Sequence, residues 1–500
     1  MMHDLMLPVL LPLFAGSLLL LLHRVDQRFK RAISLVATFA LLPVTVWLLT
    51  LAGDDQLRIY ALGNWQPPFG IILLLDRLSA LMLLVTAVLA SGAVVYATRG
   101  DDDRGPNFHA LFQFQLLGIN GAFLTGDLFN LFVFFEILLI SSYALLVHGH
   151  GPERIRSGVH YVVLNLFGSS LFLIGVATLY GLTGTLNMVD LAVRIGAAEA
   201  SEGPLLAAAG FMLLIVFGLK AALLPLYFWL PSAYAAATAP VAALFAIMTK
   251  VGLYAILRVF TLLYGSAAGS LSFMVNDWLW PLALLTVAAG VFGALAARSL
   301  QGLLAYLIVV SVGTLLAGIA LGSEEGLSAA LFYLVHSTFV AGGLFLLADL
   351  IGRQRGAAET SLVPAPALRQ PLLLGALFFA GAISVAGLPP FSGFIGKVML
   401  LSAVTPGTQG LMLWAVVLAG GLGMLIALSR AGSLVFWLPS ESATVGAKAD
   451  PIRLLAAASL LLGSLALVIW AQPLQAYVQG AARQLLDLEP YLRLIQGGGA

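Results

Sequence analysis

Five ionisable side chains stand where the surrounding sequence is otherwise apolar. Glu136 lies in FNLFVFFEILLISSY, Lys220 in GLKAALLPLYFWLP, Lys250 in MTKVGLYAIL, His336 in LFYLVHSTFVAGG and Lys397 in GLPPFSGFIGKVML. A charge at bilayer depth costs roughly 2.5–3.5 kcal/mol even on the mildest insertion scale. Four of them left unpaired would cost on the order of 10 kcal/mol, as much as a protein's whole net stability. The groups must be paired, hydrated or neutral for part of the time. The chemistry open to such a set is proton transfer. Burial disfavours the charged form of a lysine and a neighbouring carboxylate restores it. A lysine whose acidic partner moves away therefore becomes a proton donor. Histidine can accept on one ring nitrogen and donate from the other. Glu136 is the one mid-membrane acid before Lys220, so the two form the expected pair, with Lys250 and His336 relaying toward Lys397. The competing reading is structural. A buried ion pair would account for Glu136 and Lys220, and a satisfied core histidine for His336. It accounts less well for Lys250 and Lys397, which have no obvious acid in sequence.

These residues need elements that place them inside a membrane, and the composition supplies such elements. The chain has 500 residues, 61% hydrophobic and 9% charged, against about 25% charged in a soluble domain. It reads as an all-α integral membrane protein, because apolar runs of about 20 residues recur and a barrel would alternate instead. There is no Cys, which excludes disulfides, Cys-ligated zinc, iron–sulfur clusters and thiol catalysis. A net charge of +1 gives no sign of a nucleic-acid partner. No phosphate-binding loop, dinucleotide fingerprint or His/Glu metal spacing occurs. No cofactor and no enzyme activity are expected, and any energy used should come from an ion gradient or from a partner. The apolar run from Leu5 to Leu22 follows no basic segment and reads as a retained first span, not a signal peptide.

About fourteen spans are expected, over 4–22, 32–52, 70–98, 108–125, 127–147, 157–182, 205–231, 239–263, 277–297, 299–322, 326–351, 372–402, 410–438 and 453–471. The largest loops are 183–204, 352–371 and 439–452. Arg24, Arg28, Lys30 and Arg31 fill the first loop, and alternate loops collect fifteen basic residues against six on the other side. The positive-inside rule then puts both termini outside. The seventh and twelfth spans are too long for one crossing. Each is interrupted by prolines, Pro225 and Pro231 in LPLYFWLP and Pro389 and Pro390 in GLPPFSGF. The pattern returns five helices on, so spans 4–8 and 9–13 read as inverted repeats with broken helices at matching places, the arrangement that marks a transport site near the midplane. The match is imperfect, because Lys220 precedes its break and Lys397 follows its own. The expected units are 1–107, the first repeat 108–263, the second repeat 277–438, and a last span with tail over 439–500.

Other polar residues read more plainly. Asp127 suits a helix N-cap. Asp76 and Arg77 suit an interfacial pair, and Asp101, Asp102 and Asp103 a solvated loop. His148, His150 and His160 crowd one loop and could feed protons to its mouth, although loop histidines seldom do. Ser311, Ser337, Thr338 and Tyr306 suit hydrogen bonds between helices. Trp65, Trp278, Trp280, Trp437 and Trp470 suit an interfacial aromatic belt.

At FFEILLISSYALL, KAALLPLYFWLPSAY, TKVGLYAILR and GLPPFSGFIGK the sequence resembles the antiporter-like subunits shared by respiratory complex I and the multisubunit monovalent cation/proton antiporters (Mrp). The resemblance extends over nearly the whole chain and is greatest to the D-type Mrp subunits. LYFWLP favours the Mrp side, where many complex I sequences have a histidine before the tryptophan. Lys397 disfavours one complex I subunit, which carries glutamate there. The short C-terminus disfavours the largest complex I type and the A-type Mrp subunit. The resemblance implies the functional positions Glu136, Lys220, Lys250 and Lys397, with His336 at a relay position. It also implies other antiporter subunits as partners in a hetero-oligomer, membrane lipid around it, and exchange of cytoplasmic Na+ or K+ for external H+ across a bacterial inner membrane. The alternative is a proton-pumping subunit of complex I or of a membrane hydrogenase. A third reading, from a different class, is a membrane scaffold for a partner that carries out the transport.

Overall fold

Apolar runs of this length fold as helices because a helix satisfies every backbone N–H and C=O within the segment. The computed structural model describes residues 3–438 and 446–496. Its helices are α1 (Leu7–Leu21), α2 (Gln27–Ala52), α3 (Arg77–Ala97), α4 (Phe108–Leu124), α5 (Leu128–Val147), α6 (Pro152–Thr183), α7 (Met188–Gly196), α8 (Gly203–Ala221), α9 (Trp229–Ala236) and α10 (Ala239–Phe245). They continue as α11 (Met248–Leu262), α12 (Asn276–Ala296), α13 (Leu300–Ala320), α14 (Glu324–Gln354), α15 (Pro371–Ala386), α16 (Ser392–Ser402), α17 (Thr408–Gly432), α18 (Pro451–Ile469), α19 (Ala471–Leu486) and α20 (Glu489–Gln496). Among the described residues, twelve helical stretches are long and apolar enough to cross a membrane.

Each expected span falls on a helix or on a broken pair. The seventh is α8 with α9, the eighth α10 with α11, and the twelfth α15 with α16. Four expectations are corrected. The third span does not begin at 70: Ile72–Leu75 is a strand, β2, paired antiparallel with β1 (Arg58–Ala61) in the register Arg58 to Leu75 and Ala61 to Ile72. Four consecutive apolar residues cannot by themselves distinguish a buried strand from a helix turn. The helix starts only where Asp76 caps it, in a reciprocal capping box with Ser79. The loop 183–204 holds α7, which Asn187 caps through the Val189 and Asp190 amides. Beyond the last expected span, the tail forms α19, which buries Val478, Ala481, Ala482 and Leu485 against α14, α3 and α11. The polar loop 439–452 lies partly outside the described residues.

The remaining two corrections concern charge. Asp101 and Asp102 are not solvated. Both are 1% exposed. Asp102 receives Arg31 at 2.6 Å and His109 at 2.9 Å, and Asp101 receives Arg104, Arg353 and Arg453. Burial at this end is tolerated only because each carboxylate is fully paired. Asp76 and Arg77 likewise face different partners, Arg258 at 2.5 Å and Asp55 at 2.6 Å. Asp127 does cap α5, accepting from the Asn130 amide at 2.8 Å.

α10 and α11, α13 and α14 are almost wholly buried and form the axis of the molecule, while α1, α2, α6, α12, α17 and α18 leave most of their apolar surface facing outward. An all-apolar helix must be either buried in protein or turned to lipid, and both kinds occur here. Both interrupted spans break after a left-handed residue, Ala222 with φ +66° and Gly387 with φ +81°. Pro225, Pro389 and Pro390 lie in the breaks; Pro231 falls in the first turn of α9, where a missing N–H is tolerated.

Candidate functional site

The five ionisable residues lie on five different helices, and the breaks determine what they meet. Lys220 occupies the last turn of α8, 5% exposed. Its ammonium donates to the Asn165 side-chain oxygen at 3.0 Å. The expected direct pair with Glu136 is not formed in this conformation. Glu136, half-buried on α5, accepts instead from the Ser169 hydroxyl. The reason is helical spacing. Asn165 and Ser169 stand one turn apart on α6 and point the same way, so α6 inserts a polar ladder between the acid and the amine.

Lys250 sits on α11 with no measurable exposure, and its Nζ has no hydrogen-bond partner among the described residues. The hydroxyls of Thr249, next to it on α11, and of Thr238, just before α10, are also buried without partners among the described residues. α11 packs directly on the Lys220 turn: a Cβ at Gly252 would fall 2.5 Å from the Ala221 nitrogen and 2.8 Å from the Lys220 carbonyl carbon. Only glycine allows this approach, so the two lysines are held on touching helices.

His336, 1% exposed on α14, is hydrogen-bonded through Nδ1 to the Ser392 hydroxyl at 2.9 Å. Ser392 bonds Ser464 at 2.8 Å, and Ser464 bonds Ser384 at 2.7 Å. The chain of hydroxyls thus runs from α14 through α16 and α18 to the end of α15. A cavity of about 20 Å³ lies beside the imidazole, lined by Ser311, Tyr333 and Ser337 among others, large and polar enough for one water.

Lys397, 7% exposed on α16, reaches back across its break. Its ammonium donates to the Ala386 carbonyl at 2.7 Å and the Val385 carbonyl at 3.3 Å. These are free acceptors at the C-terminus of α15, where the helix dipole favours a cation. Lys220 stands in the last turn of α8, but its ammonium turns to Asn165 of α6 instead. A cavity of about 280 Å³, mostly apolar, flanks Lys397 between α16 and α17.

At the end that gathers the Asp101 and Asp102 ion pairs, a polar cavity of about 520 Å³ opens between the halves of the chain, lined by Arg104, His150, Arg154, Thr238, Asp349 and Arg353 among others. Of the three clustered histidines, His150 borders this cavity and His160 is exposed. His148 is buried, bonded to the Asp101 carbonyl at 2.9 Å, and serves the fold. Trp65, Trp278, Trp437 and Trp470 are exposed.

Sequence reasoning missed Asn165, Ser169, Ser384, Ser392 and Ser464. For the first two a signal existed, two polar residues four apart in an otherwise apolar helix. For the serines none did, since serine is common in membrane helices and only tertiary contact joins these three.

Residues 125–423 match the family described as NADH:quinone oxidoreductase/Mrp antiporter, TM. The D-type subunit of a probable K(+)/H(+) antiporter from Rhizobium meliloti is 42% identical over 97% of this chain and 96% of its own. The D-type subunit of the Na(+)/H(+) antiporter of Bacillus subtilis is 36% identical over 98% of both chains. A chain from the structure of the Mrp complex from Dietzia sp. superposes with a TM-score of 0.89 at 27% identity, covering 99% of this chain and 100% of that one. With the matched segment spanning every break and every one of the five ionisable residues, this chain belongs to the NADH:quinone oxidoreductase/Mrp antiporter transmembrane family.

Proposed function

We propose that the chain is the proton-translocating subunit of a multisubunit secondary antiporter in a bacterial inner membrane, exchanging cytoplasmic Na+ or K+ for external H+. The observation that carries this reading is the line of buried ionisable groups, Glu136, Lys220, Lys250, His336 and Lys397, in which three ammonium groups have no carboxylate in contact. A structural role would pair such charges; a carrier role requires that they be free to change protonation state. The relatives from Rhizobium meliloti and Bacillus subtilis, named for K(+)/H(+) and Na(+)/H(+) antiport, support the exchanged ions. The likeness to a chain of the Mrp complex supports a hetero-oligomer with other antiporter subunits.

In this reading a proton moves laterally through the chain. The ladder of Ser169 and Asn165 sets the separation of Glu136 from Lys220, so a small shift of α6 changes whether the amine has an acidic neighbour. Lys220 passes its proton to Lys250 on the touching helix α11. His336 and the chain of Ser392, Ser464 and Ser384 carry it toward Lys397 at the end of α15. The carbonyls of Val385 and Ala386 hold the Lys397 amine, Asn165 holds that of Lys220, and the free backbone groups at the two breaks can hold the water that a relay needs. Spans 4–8 (108–263) and 9–13 (277–438) are taken as inverted repeats, supported by the left-handed break and by the amine at the end of the first half-helix in each. The cavity at the arginine-rich end is taken as cytoplasmic, and both termini as external.

The test uses everted membrane vesicles from cells carrying the whole complex. Glu136→Ala or Lys220→Ala should abolish the cation-dependent pH change while the complex still assembles. Wild-type exchange by either variant overturns the reading. A pH change driven by a respiratory substrate and independent of Na+ and K+ would transfer the chain to redox-driven pumping.

A further inference from the structure

Lys250 shares its helix face with a second buried cation. Lys250, Tyr254 and Arg258 recur every four residues along α11 and so form one stripe. Arg258 is 1% exposed, and its guanidinium meets the Asp76 carboxylate at 2.5 Å. The Tyr254 hydroxyl accepts from Arg258 at 3.1 and 3.2 Å and donates to the Phe123 carbonyl at 2.7 Å. Tyr491, brought in by α20, donates to the same Asp76 oxygen at 2.9 Å. Asp76 also accepts the Ser79 amide at 2.8 Å as the cap of α3. The pair thus ties α11 to the end of β2, to the start of α3 and to the tail, far from the amines it is not in contact with.

We propose that Asp76 and Arg258 act as positioning residues whose charge balance sets the working pH of Lys250. The inference rests on Lys250 being a proton carrier. Eight residues of helix put Arg258 about 12 Å from Lys250, and an uncompensated charge at about that distance displaces a titration by about one pH unit at an effective dielectric constant of about 20. The other elements around α11 offer no substitute for Asp76. α8 presents Lys220, α13 has only Tyr306 as a titratable group, α4 has only His109 at its far end beside Asp102, and α10 has none. α14 carries Tyr333 and His336 near its middle, Asp349 paired with Arg353 near its end, and Glu324, paired with Arg483 of α19, beside Glu325 at its start; Tyr477 of α19 donates to the Arg77 carbonyl. Asp190 and Arg194 of α7 pair with each other.

The test measures cation-dependent exchange against pH in vesicles carrying the whole complex. Asp76→Asn leaves the guanidinium uncompensated, which disfavours a second positive charge on the stripe, so the profile should move about one unit toward lower pH. The neutral pair Asp76→Asn with Arg258→Gln should restore its position. Tyr491→Phe, which removes a hydrogen bond but no charge, should leave it in place. If Asp76→Asn abolishes exchange altogether, its recovery in the double variant supports charge balance. A double variant without exchange in an assembled complex overturns the proposal, as does an unmoved profile in Asp76→Asn. Lys250→Ala separates the two failures. If that variant exchanges normally, the carrier role itself is wrong; if it does not and the Asp76→Asn profile is unmoved, only the charge set-point is wrong.

Discussion

The Lys220 ammonium donates to the Asn165 amide oxygen at 3.0 Å, and the Glu136 carboxylate that should pair with it is held one turn away by Ser169. The acid and the amine therefore each contact α6 and not each other, and in the proposed relay α6 sets whether they meet. A direct ion pair would trap the proton on the lysine. A polar side chain between the two lets the pair be made or broken by a shift of one helix.

Asn165 is accordingly more than a helix-packing residue. Asn165→Leu keeps the side-chain volume and removes the acceptor. A hydrogen bond to a charged group is worth about 1.5–3 kcal/mol, so exchange should fall by roughly tenfold to a hundredfold, with complex abundance in the membrane unchanged. Asn165→Asp should instead create a direct partner for Lys220 and also slow exchange. Unaltered rates in both variants would remove Asn165 from the path.

Gly387 is required by two independent constraints. Its φ of +81° is a conformation that costs other residues roughly 1–2 kcal/mol. A Cβ there would also stand 2.8 Å from the Lys397 Nζ. Gly387→Ala should displace the ammonium from the Ala386 carbonyl and abolish exchange in an assembled complex. Gly181→Ala, inside α6 with no positive φ and no atom within 4 Å of the added Cβ, should have little effect. Equal exchange rates for the two variants would contradict this account.

The ion pairs at the arginine-rich end should make stability depend on acid. Burial pushes the Asp102 carboxyl up, but hydrogen bonds from His109, Arg31 and Gln27 outweigh it and hold the group below the usual carboxylate range. An acid held low in the folded state adds stability that is complete above its unfolded value of about 4 and is lost as pH falls below that value. The melting temperature of the detergent-extracted complex should drop on that acid side. Asp102→Asn should lower stability at neutral pH by about 3 kcal/mol, the cost of breaking a buried pair, and should flatten the acid dependence. The comparison isolates Asp102, because burial raises the neighbouring Asp101 and gives it the opposite sense. A melting temperature at neutral pH equal to that of the unsubstituted chain would show that the network holds nothing together.

Most of the architecture was legible in the sequence, because in a membrane the backbone must satisfy itself and apolar length alone marks a span. The breaks were legible too, since prolines and glycines interrupt spans too long to need them. What sequence could not supply was the third dimension at each polar group. Ile72–Leu75 reads as part of a helix because four apolar residues carry no period. Asp101 and Asp102 read as a solvated run because their partners, Arg31, His109, Arg353 and Arg453, come from remote parts of the chain. Asp76 was assigned to its neighbour Arg77, when Arg258 reaches it from 182 residues away. α19 was missed because its sequence is amphipathic and too short to span. The reach of Lys397 back across its break to the Ala386 carbonyl is likewise invisible in the order of residues.

Lys250 gives the most direct test of the central claim, that these buried amines carry protons and are not kept for the fold. Its Nζ has no partner among the described residues and no exposure, so removing it should relieve a desolvation cost of about 1–3 kcal/mol. Lys250→Met should raise the melting temperature of the complex, or leave it unchanged, and should abolish cation-dependent proton exchange in everted vesicles. Exchange at the unsubstituted rate, whatever the melting temperature, would contradict the account.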